Sequence, residues 1–101
     1  MIIIAGDMTM SPEILTDFKR DVAEVRRQSL TEDGCRHYSL LVEDAATGVV
    51  NVVEIWDNDD ALLAHFKQPW TVGFFQKYAE HMQASTLKIY DVAGERALPE
   101  M

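Results

Sequence analysis

The chain has little cysteine, little positive charge, no long apolar run and no repeat. Of 101 residues only Cys35 is cysteine. A lone thiol closes no intrachain disulfide, which fits a reducing compartment. Nine Lys and Arg stand against 17 Asp and Glu, a formal net charge of -8. The cations are scattered rather than striped. A chain this acidic repels phosphate backbones, so nucleic acid is not an expected partner. Met1-Ile2-Ile3-Ile4-Ala5 is apolar but is cut by Gly6-Asp7 after one strand's length. It lacks a basic leader and is too short for a signal peptide's core or a membrane span. The expectation is a soluble, cytoplasmic protein with no membrane partner.

What is present is ordinary for a globular domain: 48% hydrophobic and 26% charged residues. The length suits one core, so residues 1–101 are read as a single domain. Ile2 to Met8 is β-branched and apolar at both parities, a strand covered on both faces. Ser11-Pro12-Glu13 opens a helix, with Ser11 as cap and Pro12 at the first position. Ile14, Leu15, Phe18, Val22 and Val25 make its apolar face. Thr31 to Gly34 is a loop. Cys35 to Glu43 is a strand, Asp44 to Gly48 a hairpin loop, and Val49 to Trp56 a central strand. Asn58 or Asp59 caps the next helix, whose core side is Leu62, Leu63 and Phe66. Pro69 breaks it. The following segment carries Trp70, Phe74, Tyr78 and His81 on one ridge, with Phe75 and Met82 beside it. Thr86 to Val92 is the last strand, and Gly94 to Met101 a polar tail.

Strand, helix, strand, strand, broken helix, strand is the ferredoxin-like βαββαβ plan, an α+β fold. Right-handed crossovers put both helices on one face of the sheet. The other face carries Val and Ile, too much apolar surface for a lone copy. A two-fold homodimer with sheets face to face removes it from water. A broken second helix leaves room for a pocket between helices and sheet.

Gly34-Cys35-Arg36-His37-Tyr38, Glu54-Ile55-Trp56, Ala64-His65-Phe66 and Pro69 carry a resemblance. In these motifs, and across nearly its whole length, the chain resembles the antibiotic biosynthesis monooxygenase family of dimeric α+β barrels. The family holds quinol monooxygenases, haem degraders, an isomerase and other members, so it speaks more to fold than to reaction. Its monooxygenases oxidise phenols, quinols or anthrones with dioxygen and without metal or flavin. The resemblance therefore implies a cofactor-free enzyme and a small aromatic or apolar substrate. In the haem-degrading branch a strand asparagine, a helix tryptophan and a ligating histidine fall at places that read Asp7, His65 and Phe75 here. With the ligand missing, haem degradation is not expected.

On this basis His65 and Tyr38 are the catalytic candidates. Trp70, Phe66, Phe74, Tyr78 and Asp7 are the substrate-binding candidates, and Glu54 and Arg36 the supporting ones. Each has a plainer reading. His65 is a base, or a buried histidine bonded to Glu54 or backbone. Glu54 orients His65, or pairs with Arg36 or a basic residue of a second subunit. The rings are pocket walls, or core. No metal site is expected, since Cys35 and His37 lack a third ligand at a supporting spacing. Asp57 to Asp60 reads as a helix cap without the glycine and distal glutamate of a calcium loop. Beside the monooxygenase stand an isomerase or cyclase using His65, and a non-catalytic dimer holding an apolar ligand with His65 facing away.

Overall fold

The computed structural model describes residues 1–100. Strand β1 (Ile2–Met10) passes through a 3-10 turn (Pro12–Ile14) into helix α1 (Leu15–Ser29). Strands β2 (Cys35–Asp44) and β3 (Val49–Trp56) form a hairpin. Helices α2 (Asp59–His65) and α3 (Pro69–Tyr78) follow, then a 3-10 turn (Ala79–His81) and strands β4 (Met82–Ser85) and β5 (Lys88–Asp91). All pairings are antiparallel in one five-stranded sheet, ordered β2-β3-β1-β4, with β5 also on β1. This is the α+β, ferredoxin-like arrangement that the order of elements predicts.

Strand alternation sorts the side chains. Ile2, Ile4, Met8 and Met10 of β1, Tyr38 and Leu40 of β2, and Val50, Val52 and Trp56 of β3 are buried in one cluster with the helices. Helix α1 contributes Leu15, Phe18, Val22 and Val25, a single stripe at helical spacing. Burying each such side chain stabilises the fold by about 1.5–3 kcal/mol. The alternate positions Ile3, Val49, Val53 and Ile55 lie on the opposite face and are only partly covered or exposed. No helix among the described residues lies over them.

Four local expectations change. Ser11 makes no side-chain cap. Its amide bonds the His81 carbonyl at 3.0 Å instead, tying the end of β1 to the turn before β4. Leu63 is 54% exposed. Helix α2 has only seven residues, and its buried side is Leu62 and His65, one turn apart. Met82 begins β4 rather than extending the helix, and His81 sits in the 3-10 turn.

The last strand is in two pieces, where a single Thr86 to Val92 strand was expected. Thr86 and Leu87 stand over Gly6, where β1 has φ +143° and a Cβ would lie 2.9 Å from the Thr86 carbonyl. There the Thr86 hydroxyl, not a ladder carbonyl, accepts from the Asp7 amide at 3.0 Å. The hairpin loop closes on Gly48 at φ +81°, where a side chain would strike the Met10 carbonyl. That close approach lets the Met10 amide reach the Gly48 carbonyl at 2.8 Å and carries β1 past Met8.

Candidate functional site

A cavity of about 310 Å³ lies between the helix side of the sheet, α2–α3 and the β4–β5 edge. Ile4, Met8, Leu40 and Val52 form its sheet side, and Phe66, Phe74, Phe75 and the Tyr78 ring its helix side. Three polar side chains also line it, Tyr38, Glu54 and His65, and Lys88 lines it from β5. It is an apolar chamber with a few convergent polar groups, the usual make-up of a small-molecule site.

His65 reaches this chamber because α2 starts where it does. Asn58 accepts the Ala61 amide at 2.9 Å and sets the helix phase. Seven positions later His65 occupies the inward face. Its ring centroid is 4.6 Å from that of Trp56 and 5.5 Å from that of Tyr38. Nδ1 is 2.9 Å from Glu32 Oε2 and 3.3 Å from Thr71 Oγ1. The His65 and Glu32 side chains are 2% and 7% exposed. Among the described residues no group bonds His65 Nε2, and the ring borders the cavity. The Tyr38 hydroxyl likewise has no partner there. Burial, and then the charge of Glu54, push the Tyr38 phenol well above its ordinary value, so it is a donor across the physiological range.

Glu32 is the residue that sequence reasoning missed. It lies in the turn after α1, where its amide bonds the Ser29 carbonyl at 3.0 Å. Oε2 accepts from Trp70 Nε1 at 3.1 Å as well as meeting His65. Oε1 is buried without a partner among the described residues. An acid in a loop of charged residues carries no spacing signal. The only hint was that a histidine on an inward helix face needs a partner.

Glu54 was expected beside His65 or Arg36. It bonds neither. Its Oε1 accepts from Trp56 Nε1 at 3.1 Å, two positions along the same strand. Burial pushes the Glu54 carboxyl up; the Trp56 bond and nearby His65 oppose the shift and the Glu32 charge adds to it. Arg36 pairs instead with Asp57, both about half exposed, away from the cavity. Its strand position turns it outward, and Asp57 follows the end of β3 beside it. Cys35 is half-buried, and burial with the Glu32 and Glu54 charges pushes its thiol up to about 11.

The ring candidates divide. Phe66, Phe74 and Tyr78 border the cavity, although the Tyr78 hydroxyl turns away to donate to Asp21. Trp70 does not border it. Its indole lies in an outer groove between α1 and α3, drawn there by the Glu32 carboxylate. Asp7 is also outside. It pairs with Asn51 at a β1 position whose parity faces away from the helices. No three His, Cys, Asp or Glu side chains gather to hold a metal ion among the described residues, and no helix there is long and apolar enough to cross a membrane.

An antiparallel sheet with a greasy chamber under a broken helix, and a histidine at its polar end, defines an α+β, ferredoxin-like scaffold with a cavity between sheet and helices. The sequence pattern of the antibiotic biosynthesis monooxygenase family matches residues 1–84. The chain belongs to that family. A proposed antibiotic biosynthesis monooxygenase from Deinococcus radiodurans has the same fold, with TM-score 0.82 and 19% identity over 99% of this chain and 100% of that one. A Mycobacterium tuberculosis protein matches with TM-score 0.80 and 18% identity, over 95% of this chain and 98% of its own. An uncharacterized protein of Synechocystis is 26% identical over 98 residues, 96% of this chain and 67% of the relative. At these identities the structural likeness is one of fold.

Proposed function

We propose that the protein is a cofactor-free monooxygenase that oxidises a small phenol or quinol with dioxygen. The observation that carries this reading is the His65 ring, bonded at Nδ1 to a buried carboxylate and bare at Nε2 where it borders an apolar cavity. A flat aromatic guest suits a chamber walled by Phe66, Phe74 and Phe75. Its hydroxyl gives a proton to Nε2, and the apolar lining packs against the ring of the anion formed. The electron-rich anion then reduces dioxygen. A phenol thus becomes a quinone, or a quinol a hydroxyquinone: the ring loses two hydrogens and gains one oxygen atom, the other oxygen leaves as water, and the substrate supplies all four electrons. Tyr38, and Glu54 when protonated, are the donors for the oxygen on which charge develops.

The bare Nε2 disfavours a ligand carrier in which His65 is fully bonded. A phosphorylated substrate would need clustered cations, and Lys88 alone lines the cavity with a fixed positive charge. The reading takes the chain as one domain, at work in the cytoplasm as a two-fold dimer that covers Ile3, Val49, Val53 and Ile55. Oxygen uptake with a panel of quinols and anthrones is the test. Substrate-dependent uptake by the wild type that His65→Ala loses supports it. Uptake by neither protein, with tight binding of the same compounds, overturns it.

A further inference from the structure

We infer that Glu32 is a positioning residue, which fixes His65 in the Nδ1–H tautomer and so makes Nε2 the basic atom facing the cavity. The kinetic consequence rests on the monooxygenase reading; the tautomer does not.

The chemistry of the bonds leads there. A carboxylate oxygen only accepts, and the Trp70 indole N–H only donates. Glu32 Oε2 therefore receives the Trp70 proton donor at 3.1 Å, and at 2.9 Å it receives Nδ1–H rather than meeting a bare ring nitrogen. Thr71 Oγ1, at 3.3 Å from the same Nδ1, can accept a share of that proton. With Nδ1 holding the proton, the lone pair of the neutral ring is at Nε2. The ring plane is fixed as well, by the Trp56 ring 4.6 Å away and by burial of the whole side chain. Tautomer and orientation are thus set by groups that never touch the guest.

The placement also serves the charged form. When Nε2 takes a proton the ring becomes a cation against a carboxylate that is itself buried. One oxygen of that carboxylate has no donor among the described residues, so beside the ring itself only the neutral Trp70 N–H shares its charge. The imidazolium is the counter-ion it lacks. Glu54, which also lines the cavity, is a second acid at this end.

The test begins on the wild type, by long-range proton–nitrogen NMR of the histidine rings at pH 8. The expected spectrum has His65 protonated at Nδ1 and bare at Nε2. The reverse tautomer overturns the inference. Glu32→Gln keeps an acceptor for Trp70 but its amide can donate to Nδ1, so His65 should shift toward the Nε2–H form. Its kcat should fall roughly 100-fold with little change in KM, as expected when a general base is lost through the wrong tautomer. Glu32→Asp should recover part of both signals. An unaltered tautomer and kcat in Glu32→Gln also overturns the inference. If no protein, the wild type included, consumes oxygen, the monooxygenase reading falls while the ring spectra still decide what Glu32 does.

Discussion

His65 Nδ1 and Glu32 Oε2 stand 2.9 Å apart across 33 positions of sequence. The turn after α1 is thereby tied to the end of α2, beneath the chamber. His65→Ala leaves the buried Glu32 with Trp70 as its sole partner. Breaking a buried pair in this way costs about 3–5 kcal/mol. A marked drop in melting temperature by circular dichroism is expected, and Glu32→Gln added to His65→Ala should recover part of it, because the stranded charge is gone.

Glu54 gives a pH-dependent prediction of the opposite sense to most carboxylates. Burial raises its pKa above the ordinary 4.5. The folded state therefore binds the proton more tightly than the unfolded one. Stability is full below the ordinary value and declines as pH rises through the raised one. Glu54→Gln, which keeps an acceptor for Trp56, should raise the melting temperature at pH 8 and leave it little changed at pH 4. Equal shifts at both pH values would mean that ionisation of Glu54 costs the fold nothing.

Asp21 behaves conversely. Its carboxyl accepts from Lys77 Nζ at 2.7 Å and from the Tyr78 hydroxyl. These bonds, Lys77 first, hold its pKa down from 3.8 to about 2 against a smaller burial effect. Its contribution is complete above the ordinary value and is lost as pH falls from there through about 2. Melting curves of wild type and Asp21→Asn should converge between pH 4 and pH 2 and stay apart at pH 7, the wild type being more stable. Because Asp21 is partly solvated, the gap should be modest and should shrink in high salt.

Val52 lies on the sheet side of the chamber and is almost fully buried. Val52→Phe places a ring in the space a guest would use. Affinity for a flat probe such as 1-naphthol, measured by calorimetry, should fall at least tenfold. Stability should change little, or drop by about 1–3 kcal/mol if the ring overpacks the site. Unchanged probe affinity would move the binding site elsewhere.

The uncovered sheet face can be tested at Val53, which is 39% exposed in the single chain. Val53→Glu places a charge amid Ile3, Val49 and Ile55. Light scattering after size exclusion should show a wild-type dimer and a variant shifted to monomer at micromolar concentration. A wild-type monomer would remove the dimer from the proposed function.

Much of the fold was legible along the chain, because strands and helices write their burial as periods of two and 3.6. Val50, Val52 and Trp56 alternate, and Phe18, Val22 and Val25 recur by turns; all six are buried. Pro69 marks the restart of the broken helix, at the first position of α3. The split of the last strand was not legible, because it depends on Thr86 approaching Gly6 from a distant part of the chain.

The candidate site divided in the same way. His65, Tyr38, Phe66, Phe74 and Tyr78 meet at one cavity; the ring positions follow from the pattern of their own segments, whereas that pattern puts His65 only beside its helix's apolar face. Trp70, Asp7 and Arg36 do not. Each looked available in its segment, and each is claimed or turned aside by a neighbour that local spacing does not reveal.

The sequence by itself determined the alternation of elements, the stripes that β1, β3 and α1 bury, and a histidine beside the apolar face of the helix before Pro69. These follow from backbone geometry and hydrophobicity acting within a few residues. Only the tertiary structure decided that Glu32, not Glu54, holds that histidine. A hydrogen bond selects its partner by distance and direction in space, and those exist only once the turn after the first helix has packed against the broken second one.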